Sequence, residues 1–251
     1  MIQLYNISKT YNNGAVGVHA LQDIHMEVAE GEFVAIMGPS GCGKSTLLSI
    51  LGAMNPPSTG TAEIDGIDIY RLSVEQQADF RHEYVGFVFQ QLQLIPYLTA
   101  LENVLLPLAV AQLSRREKVH RAQNALAHVG LQHRLGSLPP QLSGGEQGRV
   151  AIARAIVNRA PLVLADEPTG NLDRNTGAQV LNMLRKLNED GQTIVMVTHD
   201  TEAAGYARRV VNLLDGRLVS DTQYTIREAR TGATMSPQQR GYPAVVPTAG
   251  H

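Results

Sequence analysis

Gly38-Pro-Ser-Gly-Cys-Gly-Lys-Ser45 decides the fold, because of what stands on either side of it. Before it, Phe33-Val-Ala-Ile-Met37 is a short apolar run bounded by Gly31 and Gly38. After it, the stretch from Lys44 to Met54 places Leu47, Leu48, Leu51 and Met54 on one helical face. A strand, a glycine-rich turn of the form G-x-x-x-x-G-K-[ST] and a helix together make a phosphate cradle. The glycines let the backbone curl so that successive N–H groups face one anion, and the helix N-terminus adds about half a positive charge behind them. The candidate phosphate-binding set is Gly38, Ser40, Gly41, Cys42, Gly43, Lys44, Ser45 and Thr46. Cys42 is a small residue that fits the loop. Lys44 would reach the β- and γ-phosphates, where one charge pair at about 4 Å is worth roughly 4 kcal/mol before desolvation. Ser45 offers a hydroxyl oxygen to Mg²⁺, a hard cation that prefers oxygen.

Working outward, further apolar runs lie at Val85–Phe89, Leu162–Ala165 and Thr193–Thr198. Continuous apolar strands of this length suit a parallel sheet covered on both faces, so the fold class is α/β. The first 30 residues read as strands, with Ile24, Met26 and Val28 alternating with His25 and Glu27. Asp65-Gly66 and Asp215-Gly216 mark hairpins. Helical spacing recurs over Arg115–Val129, closed by Gly130, and over Arg174–Asp190, closed by Gly191. No strand pattern appears between about Gln90 and Arg159, which predicts a helical lobe there. From about Gln223 periodicity is lost among prolines and glycines, so 223–251 is expected to be a flexible tail.

Composition sets the boundaries. At 251 residues the chain allows one large domain. A net charge of −2 gives no electrostatic basis for nucleic acid binding. A single cysteine excludes an internal disulfide and fits a reducing compartment. No run of apolar residues is long enough to cross a membrane.

Two more stretches carry chemistry. Leu162-Val-Leu-Ala-Asp-Glu167 is an apolar strand ending in two carboxylates. Asp166 can hold Mg²⁺ through water beside Ser45, and Glu167 is then placed to polarise an attacking water. Leu142-Ser-Gly-Gly-Glu146 reads locally as a capping box between Ser143 and Glu146. Two glycines in a first turn cost about 1 kcal/mol each, which makes sense if backbone must approach a ligand closely.

With this stretch the sequence resembles the ABC ATPase family, whose signature is LSGGQ or LSGGE, over about residues 1–220. The resemblance implies a fold, domain bounds and a role for each of several residues. The fold is a P-loop NTPase (RecA-like), a mainly parallel sheet core with an N-terminal antiparallel β subdomain and an inserted α-helical lobe. The ATPase domain spans 1–222, with 1–89 and 160–222 as nucleotide-binding core and 90–159 as signature lobe. Tyr11 stacks on adenine. Gln90, preferred over Gln91 because of the run before it, contacts Mg²⁺ and water. Asn171-Leu-Asp173 is a loop crossing between subunits, with Asp173 also suited to capping a helix. His199 bonds the γ-phosphate. Gly148 departs from the family's usual Gln and is expected to weaken its helix slightly.

The resemblance further implies two copies closing head to tail around two ATP, with Ser143, Gly144, Gly145 and Glu146 of one facing the phosphate loop of the other. A separate transmembrane permease subunit is then the partner, docking near residues 90–110, and the chain sits on the cytoplasmic face of the inner membrane. The segment's apolar residues Leu92, Leu94, Ile95, Tyr97, Leu98 and Leu101 prompt that docking site, with Leu94 and Tyr97 expected at the surface. The stretches around Gly86–Val104 and Leu164–Asp173 look like the MacB/LolD/FtsE-type branch, which works in export, lipoprotein release or mechanotransmission. The alternatives are a cell-division-type signalling ATPase that moves no solute, and an importer ATPase, whose frequent C-terminal regulatory domain would not fit in about 30 residues. A soluble ABC ATPase acting on DNA or ribosomes fits poorly, lacking a second cassette, a coiled-coil insertion or zinc cysteines.

Overall fold

The structure, a computed structural model, describes residues 1–13 and 16–224. In chain order its strands are β1 (Ile2–Asn13), β2 (Val16–Val28), β3 (Phe33–Met37), β4 (Thr59–Ile64), β5 (Ile67–Asp68), β6 (Val85–Val88), β7 (Leu162–Asp166), β8 (Thr193–Thr198), β9 (Arg209–Leu214) and β10 (Arg217–Gln223). Its helices are α1 (Lys44–Leu51), α2 (Val74–Tyr84), α3 (Ala100–Leu105), α4 (Arg115–His128), α5 (Gly144–Ile156), α6 (Arg174–Glu189) and α7 (Thr201–Ala204). The segment expected to be a tail lies, from residue 225 on, outside the described residues.

Two sheets form. The smaller is antiparallel, in the order β2-β1-β4-β5. Ile24, Met26 and Val28 are buried while His25 and Glu27 are exposed, as the alternation predicts. The larger sheet has the order β10-β9-β3-β8-β7-β6, with five parallel strands and β10 antiparallel at its edge. Along β3, Phe33 and Ala35 join one core while Val34 and Ile36 join the other. That is why the run is apolar throughout: both faces of the strand are covered. On one side lie α1 and the antiparallel sheet, through Leu47, Ile50, Ile2 and Leu4. On the other lie the helical lobe and α6, through Val104, Leu126, Val150 and Leu184.

Between β6 and β7 the chain is helical, and α3, α4 and α5 each begin with a Ser or Thr cap answered by Glu three residues on. One expectation needs correction, and one helix has no signal in the sequence. Helix α1 stops at Leu51 with Gly52 as its cap, so Met54 lies beyond the helix and is largely exposed. Helix α2 gives no apolar periodicity in the sequence, because Phe80 is its sole buried residue.

Arg209 ties the sheet's edge together. Its guanidinium bonds Asp221 of β10 at 2.7 and 2.6 Å, Glu32 before β3 at 3.1 and 3.2 Å, and the Glu27 carbonyl at 2.8 Å. Asp221 first, then Glu32, hold it well above its ordinary pKa. The side chains of Arg209 and Glu32 are only 13% and 15% exposed. Removing the arginine would strand the Glu32 carboxylate, at a cost of about 3 kcal/mol. Arg209→Met is therefore expected to lower the unfolding temperature by roughly 6–12 °C in a thermal melt.

Candidate active site

The strand register brings the site together before any side chain acts. Met37 pairs with Thr198, Val197 with Asp166, and Ala165 with Val88. Four adjacent parallel strands thus end at one level, and the chain leaving each carries a candidate residue. The phosphate loop follows β3, His199 follows β8, Asp166 and Glu167 close β7, and Gln90 follows β6. The carboxyl ends of parallel strands are where open α/β sheets bind ligands.

Within the loop, Gly43 has φ 108, and a Cβ there would lie 2.3 Å from the Ala20 carbonyl oxygen. No other residue would allow both the conformation and the approach. Lys44 is only 6% exposed, and its ammonium donates to the Gly38 and Pro39 carbonyls at 2.7 and 2.9 Å. Those are the loop's own oxygens, and among the described residues no carboxylate forms an ion pair with the cation. Cys42 is buried beneath the loop. Ser40, Gly41 and Ser45 are exposed, and Thr46 is half-buried.

Ser45 Oγ donates to Asp166 Oδ1 at 3.3 Å, so the two oxygen ligands expected for Mg²⁺ stand together. Burial, chiefly, raises the Asp166 carboxyl above its ordinary value; the Ser45 hydroxyl opposes this, the Glu167 carboxylate adds to it, and Lys44 opposes it in turn. Glu167 is gripped on both oxygens. His199 Nδ1 lies 2.9 Å from Oε1, and Gln90 Nε2 donates to Oε2 at 3.4 Å. Against an ionised carboxylate, which only accepts, Nδ1 is the donating nitrogen of that pair. Glu167 itself has φ 42, the left-handed region that non-glycine residues avoid. Its cleft is lined by Thr169, Gly170, Thr198, His199, Asp200 and Thr201.

Other candidates lie apart from this cluster. Tyr11 is 40% exposed, accepts from Asn55 Nδ2 through its hydroxyl, and carries the Lys9 ammonium 5.1 Å from its ring centre. Ser143 caps α5 and Glu146 answers it, the carboxylate also bonding Arg134 at 2.9 Å. Among the described residues, no hydrogen bond joins Ser143, Gly144, Gly145 or Glu146 to the phosphate loop. Asp173 caps α6, accepting from the Asn175 and Thr176 N–H groups at 3.1 Å.

The ABC transporter family model matches residues 21–170. The chain belongs to the ABC transporter family. It is an ATP-binding, ATP-hydrolysing subunit of that family. It is 47% identical to the uncharacterized ABC transporter ATP-binding protein YvrO of Bacillus subtilis, over 91% of this chain and 100% of that one. It is 43% identical to the macrolide export ATP-binding/permease protein MacB of Aggregatibacter actinomycetemcomitans, over 89% of this chain and 35% of MacB. Among solved structures, it resembles a dimeric post-hydrolysis state of the ATP-binding cassette MJ0796 bound to ADP and Pi. The TM-score is 0.81 and the identity 44%, covering 90% of this chain and 99% of that one.

In this ABC ATPase the segment after Gln90 is not uniformly a surface. Leu94 and Leu101 pack against the lobe's core, so Leu94 is not the exposed residue expected. Tyr97 is 77% exposed and Val110 75%. Asn103, fully buried, holds the segment's shape: its Oδ1 accepts from the Ile95 N–H, and its Nδ2 donates to the carbonyls of Ile95, Leu98 and Thr99. An asparagine inside an apolar stripe gives no such signal in the sequence. Gly148 is likewise a matter of packing, since a Cβ there would lie 2.8 Å from Val180 Cγ2, and the bare backbone lets α5 and α6 meet.

The left-handed backbone at Glu167 is testable apart from its carboxylate. Glu167→Gly and Glu167→Ala both remove the acid, but only alanine keeps the backbone cost. The glycine variant is expected to be about 1 kcal/mol more stable, melting roughly 2–4 °C higher.

Proposed function

We propose that the chain hydrolyses ATP with Mg²⁺ held by Ser45, Asp166 and Gln90, in a dimer of two copies that drives a membrane permease subunit. The observation that carries this is the grip on Glu167 by His199 and Gln90, one residue on from Asp166 of the Ser45–Asp166 pair. An oxygen donor set of this kind fits a hard divalent cation. Bound there, Mg²⁺ would neutralise charge on the β- and γ-phosphate oxygens.

The remaining work belongs to side chains. The loop's N–H groups, from Gly38 through Thr46, and Lys44 bind the phosphates; Tyr11 offers a ring face to the base. Glu167 takes the proton of the attacking water, and Gln90 orients both the water and that carboxylate. His199 holds the opposite oxygen of Glu167 through Nδ1. The same side chain is the one proposed to bond a γ-phosphate oxygen.

Ser143, Gly144, Gly145 and Glu146 supply the second wall of the site from another copy. Their separation from the phosphate loop within one chain supports this, as does the dimeric state named for the MJ0796 cassette. ATP bridges the copies, hydrolysis removes the bridge, and the dimer reopens. Among the described residues no helix is long and apolar enough to cross a membrane, so force would pass to a permease. MacB, whose name joins macrolide export with ATP-binding and permease parts, supports a partner of that kind and the export reading. The cassette would then work at the cytoplasmic face of the membrane, with the exposed Tyr97 and Val110 in the docking region, residues 90–110.

Two outcomes are expected. Lys44→Ala should bind ATP weakly, whereas Glu167→Gln should keep ATP, run as a dimer in size-exclusion chromatography with ATP, and hydrolyse about 10²–10⁴-fold more slowly. Near wild-type turnover by Glu167→Gln would remove the carboxylate from the reaction. With the permease present, Tyr97→Asp should lose the partner's stimulation while basal hydrolysis persists. Full stimulation of that variant would place the partner elsewhere.

A further inference from the structure

Between Gln90 and α3 the chain turns out of the sheet and into the lobe. Leu92 and Gln93, in sequence, both take left-handed backbone, with φ 54 and 47. Neither is a glycine, so the turn needs outside support. That support is Arg154 of α5. Its Nη2 donates to the Leu92 carbonyl and its Nη1 to the Gln93 carbonyl, each at 2.6 Å. The guanidinium is half-buried, and among the described residues no carboxylate forms an ion pair with it. The two carbonyls are therefore its compensation, and burial presses it to keep them. Helix α5 in turn packs on β6, the strand that delivers Gln90.

Behind the turn, the Gln90 carbonyl accepts from Asn171 Nδ2 at 3.2 Å, and the Leu92 N–H donates to the Phe89 carbonyl at 2.9 Å. Gln90 is thus fixed from the sheet side by Asn171 and from the lobe side by a turn that depends on Arg154. Its amide sits at the long end of hydrogen-bond range from Glu167. A small relaxation of the turn would separate them.

We infer that Arg154 is a positioning residue for hydrolysis: by holding the carbonyls of Leu92 and Gln93 it keeps the Gln90 amide on Glu167. This rests on the roles proposed above for Gln90 and Glu167.

The test is steady-state ATP hydrolysis by the full chain, with a double-mutant cycle. Arg154→Met removes both donors at similar length. It is expected to lower kcat roughly tenfold or more, with little change in KM for ATP. In a Gln90→Ala background it should lower kcat no further. Replacing Leu92 and Gln93 together by glycine in the Arg154→Met protein should restore kcat, because glycine keeps the turn without support. If Arg154→Met does not fold, Arg154→Lys, which keeps the charge and reaches one carbonyl, carries the same cycle. Equal losses in both backgrounds, with no rescue by glycine, would mean that Arg154 acts through overall stability and would overturn the inference alone. Wild-type kcat for the Arg154 variants would overturn it too. Wild-type kcat for Gln90→Ala would overturn the role of Gln90, and this inference with it.

Discussion

The site depends on the parallel register of β6, β7, β8 and β3. Before Asp166 at the end of β7 these strands carry no site side chain; they are buried, mostly apolar runs, and β8 is buried at every position. Their contribution is that they stop together. A residue leaving any one of them starts within reach of residues leaving its neighbours. Ser45 can meet Asp166, and Glu167 can meet His199 and Gln90, only because Met37, Thr198, Asp166 and Val88 close the strands at a common edge. The antiparallel sheet, α1 and the lobe cover the two faces of this platform, and their packing keeps the edge level.

Much of this was legible in the sequence, for a physical reason. A strand covered on both faces must be apolar throughout, and a phosphate loop needs small residues, so Phe33–Met37 and Gly38–Ser45 announce themselves locally. Helix α2 does not, since a helix that buries one phenylalanine has no stripe to read. Leu94 was misplaced for the converse reason: a leucine in a loop gives no indication of which core it will join. Asn103 and Arg154 were invisible, because their importance lies in backbone carbonyls eight or fewer residues away in one case and sixty-one and sixty-two in the other. Side chains that serve backbone leave no periodic trace. The strain at Glu167 is a property of φ, which composition does not encode.

Helix α5 connects these features. Its first turn carries Ser143 and Glu146 in their capping box, its middle meets α6 through Gly148, and its last turns lie on β6 and hold the Leu92–Gln93 turn. One element therefore touches the wall proposed for a second copy, the turn beside Gln90 and the strand that delivers it. Under the proposed function, a rotation of α5 would reach all three points, as coupling of nucleotide state to a partner requires.

The buried amide of Asn103 has a thermodynamic consequence. A loop that must order itself when a partner arrives surrenders part of the association free energy as lost conformational freedom. Here Ile95, Leu98 and Thr99 are already pinned from beneath, and the ring of Tyr97 is carried on that pinned arch. The entropy was surrendered once, during folding. If the permease docks here as proposed, each encounter would begin from a surface of fixed shape, and the strength of docking would not be spent on ordering the loop.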